Sequence, residues 1–165
     1  MSDVSALQYA NVDEHMAAAG SLHKAMLPMG FVTAFCFHHQ LLSRQFLQQH
    51  ESTLARVRYQ EGQVSELFAA NGAVLNKQDL TEGGLVFLHS YLPKLTADYE
   101  ATFGEDCYGI EDSWDNYQLF AKVLVRAHLG APKARSLLAS RQITKPIVQS
   151  IKSRWKKLWR SGFEI

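Results

Sequence analysis

Seven histidines and two cysteines stand out first, because imidazole and thiolate are the groups that ligate metals or act as bases and nucleophiles near neutral pH. Their spacing does not assemble a site. His38 and His39 are adjacent, and on a helix successive side chains diverge by about 100°, so the two do not readily share an ion. His15, His23, His50, His89 and His128 are scattered, and the chain has no HExxH, no paired CxxC and no EF-hand loop. No metal and no cofactor are expected. GxSxG, GxGxxG and GxxxxGK[ST] are missing too, which removes the common acyl-transfer and phosphate-cradle signatures. Cys36 lies inside the apolar run FVTAFCF and reads as a small packed hydrophobe, and no Cys36–Cys107 disulfide is expected.

Carboxylates and aromatics carry the stronger signal. From Asp79 to Leu129 the chain holds nine carboxylates against three basic residues, interleaved with Phe87, Tyr91, Tyr99, Phe103, Tyr108, Trp114, Tyr117 and Phe120. Pairs such as Glu105-Asp106 and Glu111-Asp112 have the chemistry for acid–base work, but helix capping and surface solvation account for them better. An acidic, aromatic surface suits a protein that holds a basic partner: carboxylates steer a cationic surface in, and aromatics anchor it. The candidate partner-binding residues are Asp98, Glu105, Asp106, Glu111, Asp112 and Asp115, with Tyr99 and Tyr108 as anchors. Trp114 and Tyr117 are assigned to the core.

The elements that must position these residues are almost wholly helical. Residues 4–19 are Ala-rich and read as a helix ended by Gly20. Residues 29–39 are apolar on nearly all sides, as in a central buried helix, although their β-branched and aromatic content would also suit a strand. Ser43 reads as the N-cap of a helix over 44–60, and a short helix ends at Asn71-Gly72. Asp79-Leu80-Thr81-Glu82 resembles a capping box with Asp79 as the cap. The helix that follows is closed or bent by Pro93, and Thr96–Phe103 gives a separate short helix. Gly83-Gly84 marks either a close helix approach or a soft first turn. Asp112 or Ser113 caps a helix through Leu129, ended by Gly130 and Pro132.

A chain of 165 residues fits one domain. Its formal charge of +1 hides an asymmetry: residues 1–130 sum to −7 and residues 131–165 to +8. The last segment, 143–165, reads as a basic amphipathic helix, with Trp155 and Trp159 on one apolar stripe beside Ile147, Val148, Ile151 and Leu158. Docking of that stripe on the domain body is the favoured reading. An anionic membrane is the alternative, and nucleic acid ranks last. The expected division is therefore a helical domain over 1–142 and the tail over 143–165. The N-terminus lacks a basic segment followed by an apolar core, and no run approaches 18 apolar residues, so a cytoplasmic location is expected.

Three blocks carry a family resemblance: MGFVTAFCFHHQLLS at Met29–Ser43, DLTEGGLVFLHSYLPKLTADYEATFG at Asp79–Gly104, and YGIEDSWDNYQLFAKVL at Tyr108–Leu124. Together they resemble a small bacterial domain family of unknown function. The resemblance implies a cytoplasmic accessory protein, some members being apparent immunity proteins beside secreted toxins, and it brings no catalytic residues. The chain departs from the family pattern where Phe35 or Phe37 stands near a usual tryptophan and where His39-Gln40 replaces a common His-Gly. It also lacks a Trp-His-rich opening and adds the basic tail. The expectation is a single all-α domain of about six to eight helices. Its expected function is non-enzymatic: an immunity or antitoxin-like protein that occludes a basic toxin domain. The alternatives are a peripheral membrane or scaffold protein acting through the tail, and an enzyme without a familiar motif.

Overall fold

Ten consecutive residues, Leu27 through Cys36, are buried in the computed structural model, which describes residues 8–130. They belong to helix α3 (Leu27–His38), around which the other elements are laid. The order before it is β1 (Gln8–Asn11), α1 (Asp13–Ala19) and α2 (Leu22–Ala25). After it come α4 (Arg44–Gln49), α5 (Glu51–Arg58), α6 (Glu66–Ala70), β2 (Val74–Asn76), α7 (Glu82–Phe103) and α8 (Trp114–Leu129). The chain is an all-α domain whose described residues include one two-stranded antiparallel sheet, β1 with β2.

A helix buried all round must satisfy its polar groups internally. Thr33 does so by donating its hydroxyl to the Met29 carbonyl at 2.7 Å. Phe31 is the aromatic hub: its ring lies 6.2 Å from Tyr99 and 6.3 Å from Phe103 on α7, and 6.0 Å from Tyr117 and 6.4 Å from Phe120 on α8. Next to Phe31, Gly30 lets α3 meet the start of α6, since a Cβ there would lie 2.6 Å from Ser65 Cα. Gly84 has the same role for α7, because a Cβ would strike the Leu41 carbonyl. The close approach at Gly84 is therefore to the connection between α3 and α4, not the helix–helix contact expected.

Several elements differ from the sequence expectation. The Ala-rich start is not one helix: Gln8, Ala10 and Asn11 pair with Asn76, Leu75 and Val74, and helix begins only at Asp13. Cross-strand pairing overrides a weak local propensity. The helix expected over 44–60 is two helices meeting at His50, whose ring packs on Phe46 at 4.5 Å and whose Nε2 donates to Asn71 Oδ1 at 3.0 Å. Pro93 neither ends nor splits its helix. α7 runs unbroken for 22 residues with Pro93 inside it. The hydrogen bond that Pro93 cannot make would have ended at His89, and both residues are exposed, so water can serve the free carbonyl. Asp79 does not cap α7. Thr81 does, accepting from Gly84 N at 3.1 Å, while Asp79 closes a capping box with Asn76 around a 3-10 turn at Lys77–Asp79. The tail 143–165, with Trp155, Trp159 and the expected boundary at 142, lies outside the described residues.

The His39-Gln40 departure has a structural counterpart. Gln40 follows α3 at φ 58°, with Gln40 N bonded to the Phe37 carbonyl and Leu41 N to the Cys36 carbonyl at 2.8 Å. This is a left-handed helix terminus, where glycine carries no Cβ penalty. Gln40→Gly is expected to raise stability by about 0.5–1 kcal/mol, the relief of strain being partly offset by a freer unfolded chain. Gly30→Ala is expected to lower it by about 1–3 kcal/mol through overpacking against Ser65. Urea melts of both variants check the two signs.

Candidate functional site

Most of the expected carboxylates fall on the connection between α7 and α8. Gly104 ends α7 at φ 84°, and a 3-10 turn at Cys107–Gly109 follows, with Gly109 N bonded to the Asp106 carbonyl at 2.9 Å. Four further contacts fix the loop. Asp112 reaches back across the fold: its Oδ1 accepts from Val64 N at 3.0 Å and Ser65 N at 3.2 Å, and its Oδ2 accepts from the Ser65 hydroxyl. A carboxylate on free N–H groups at the entrance of α6 is a capping interaction made by a residue distant in sequence. Trp114 Nε1 donates to the Gly62 carbonyl at 3.1 Å, and Asn116 Nδ2 donates to the Glu111 carbonyl at 2.8 Å. Tyr108 Oη lies 2.8 Å from His15 Nδ1, which ties the turn to α1.

The structure sorts the candidate residues into three groups. Glu105, Asp106, Glu111 and Asp115 are exposed, as is Glu100. None of the five has a cationic partner among the described residues. Asp98 and Tyr108 are half-buried. Tyr99 and Asp112 have internal roles, which corrects their placement on a partner surface. Tyr99 is 1% exposed and packs edge-on against Phe103 at 5.0 Å and Phe120 at 5.3 Å, so it is a core residue. Asp112 has both oxygens committed to Val64 and Ser65. Tyr117 is buried as expected, but Trp114 is half-buried at the edge of the core.

Burial sets the electrostatics around the loop. It pushes the Tyr99 phenol up, with the neighbouring Cys107, Tyr108 and Asp112 adding to the effect. It pushes Tyr108 up as well, helped by Cys107 and Glu100. Cys107 is raised by burial and by Glu100, and Cys36 is pushed up by burial to about 12, so neither thiol is an activated nucleophile. His38 and His39 are both lowered by burial, and His39 also by His128 and His38. His39 stacks on Phe35 at 4.0 Å and lies 5.7 Å from the His128 ring. Among the described residues no three His, Cys, Asp or Glu side chains are placed to share a metal ion.

A second carboxylate network had no sequence signal beyond its residue types. Asp79 is 5% exposed, and its Oδ2 accepts from Asn76 N at 2.8 Å, Asn71 Nδ2 at 3.0 Å and Asn76 Nδ2 at 3.1 Å. With His50 bonded to Asn71, this network joins α5, the end of α6 and β2. It is structural: every donor is supplied from within the fold.

The fold and the loop define an all-α domain whose two long helices are joined by a braced connection bearing exposed carboxylates. The chain belongs to the family described as a domain of unknown function (DUF7832), whose model matches residues 8–111. That match starts before the first resembling block and ends inside the third. No curated protein and no solved structure matches the chain. No described helix is long and apolar enough to cross a membrane.

Asp112→Ala is expected to cost about 2–4 kcal/mol, because it strips charge-assisted hydrogen bonds from two backbone N–H groups and a hydroxyl. Glu111→Ala, one residue away and exposed, is expected to stay within about 0.5 kcal/mol of the wild type. Equal losses in urea melts would remove the distinction between them.

Proposed function

We propose that this chain is a non-enzymatic binding protein of the immunity or antitoxin type, which occludes a basic partner through the α7–α8 connection. The observation that supports the reading is the cluster Glu100, Glu105, Asp106, Glu111 and Asp115. These carboxylates are exposed, close in sequence, and unpaired with any described cation. Asp79 and Asp112, by contrast, have work within the fold. A braced loop loses little conformational entropy on association, so its charges meet a partner already in place. Carboxylates at the rim act mainly on encounter, and half-buried Tyr108 and Trp114 supply apolar surface beside them. The wider residue set expected from sequence contracts accordingly, since Tyr99 and Asp112 are internal.

Recovery of a partner by pull-down from the native source, followed by kinetics, tests the reading. Joint replacement of Glu105, Asp106, Glu111 and Asp115 by Gln or Asn is expected to slow association about tenfold or more at low salt and to flatten its salt dependence. Dissociation should change less. An unchanged on-rate and salt slope would take this loop out of the binding account.

A further inference from the structure

His15 stands in α1, far in sequence from the loop, yet it is the α1 side chain that holds the loop's 3-10 turn. It is 2% exposed, its Nδ1 lies 2.8 Å from Tyr108 Oη, and its ring lies 5.9 Å from the Tyr108 ring. Its Nε2 is buried and has no hydrogen-bond partner among the described residues. A neutral imidazole tolerates this arrangement, because one nitrogen serves Tyr108 and the other is left as a single unsatisfied site. An imidazolium does not. It carries a proton on both nitrogens and a buried charge: Nδ1 can then only donate to Tyr108, and the Nε2 proton has no acceptor among the described residues.

We propose that His15 is a proton-operated latch on the carboxylate-bearing loop: while neutral it clamps Tyr108 and the 3-10 turn to α1, and when protonated it releases them. The proposal rests on the binding role given to this loop and names its regulation, weaker holding of a basic partner in mildly acidic surroundings. The groups around His15 favour release. On α1 itself Asp13 and Glu14 are exposed, and the pull of Glu14 toward the charged form is outweighed by burial, which lowers the His15 pKa. On α2, His23 and Lys24 are exposed. The turn offers Asp106, which is exposed, and the neutral Cys107 thiol and Tyr108 hydroxyl. On α7 Glu100 is exposed, and the buried Tyr99 hydroxyl has no partner.

The sign follows from linkage. A histidine whose folded pKa lies below the free value of about 6.5 stabilises the closed form while neutral. That contribution is lost as pH falls from the free value down through the buried one.

NMR on the full chain tests the latch without a partner. The His15 ring is expected to titrate below about 6.5. The hydrogen-bonded Gly109 amide, corrected for intrinsic exchange, should lose about tenfold protection for each pH unit between the free and buried values. His15→Gln should make that protection independent of pH over the same range. An oligolysine peptide as probe should bind less tightly to the wild type on acidification, and with unchanged affinity to His15→Gln. A His15 ring titrating at or above the free value, or Gly109 protection indifferent to its titration, overturns the latch, and the ring titration reads this even if the variant does not fold. Oligolysine that ignores Glu105, Asp106, Glu111 and Asp115 while Gly109 still opens with His15 would count against the binding role and leave the latch standing.

Discussion

The close approach of α3 to Ser65 is the constraint on which the rest of the fold depends. α3 is buried along ten residues, so every neighbour must reach it, and at Gly30 the neighbour is backbone rather than side chain. That contact places the entrance of α6. Two N–H groups there would otherwise be left without partners, and Asp112 supplies the acceptors. Asp112 in turn fixes where α8 begins, and α8 brings Tyr117 and Phe120 onto Phe31. A missing Cβ thus leads, through one carboxylate, to the aromatic hub. The same chain of contacts holds the α7–α8 connection at both ends.

Carboxylates divide by what answers them. Asp79 and Asp112 meet N–H and amide donors inside the fold, and each ties together segments that no continuous helix joins. Glu66 meets Arg56 at 2.8 Å across α5 and α6, an exposed pair worth at most about 1 kcal/mol. Glu100, Glu105, Asp106, Glu111 and Asp115 meet no described cation, so among the described residues their like charges crowd a short stretch of chain without compensation. Asp115 in the first turn of α8 gains from the helix dipole. The dipole does not reach Glu105 or Asp106, which lie outside any α-helix. It is this uncompensated remainder, more than the total acidity of the segment, that sets the loop apart from an ordinary solvated face.

Much of the fold is legible in the sequence where burial is local and periodic. The apolar run of α3, the Ser43 cap and the α8 stripe all follow from residue types at fixed spacing. Where a partner comes from far along the chain, the same reasoning fails. Gln8–Asn11 is a strand because Val74–Asn76 lies beside it, and nothing in QYAN announces that. Pro93 reads as a break because its cost is set by the face it occupies, and that face is the exposed one. The error carried over to Tyr99. Once α7 is taken as continuous, Leu88, Tyr91, Leu95 and Tyr99 fall on one inward stripe at intervals of three and four. The signal for a core tyrosine was present, and an expected break at Pro93 hid it. Asp112 had no such signal, since its acceptor role depends on Val64 and Ser65, which only the folded chain brings near.

The pattern of what holds the loop bears on how it could work. Its C-terminal end is secured to residues 62–65 by the hydrogen bonds of Asp112 and Trp114, none of which involves a histidine, although the His38 ring lies 6.2 Å from Trp114. Its middle, the 3-10 turn, is held to α1 by Tyr108 and a buried imidazole whose second nitrogen has no partner among the described residues. Proton uptake at His15 would therefore strain the middle of the loop while leaving the hydrogen bonds of Asp112 and Trp114 in place. Local opening costs less than global unfolding when it spares the core contacts, and here Phe31, Tyr117 and Phe120 lie on the spared side. A surface built this way can change its hold on a cationic partner without surrendering the fold beneath it, because the residues that present charge and the residues that maintain the core are anchored by separate hydrogen bonds.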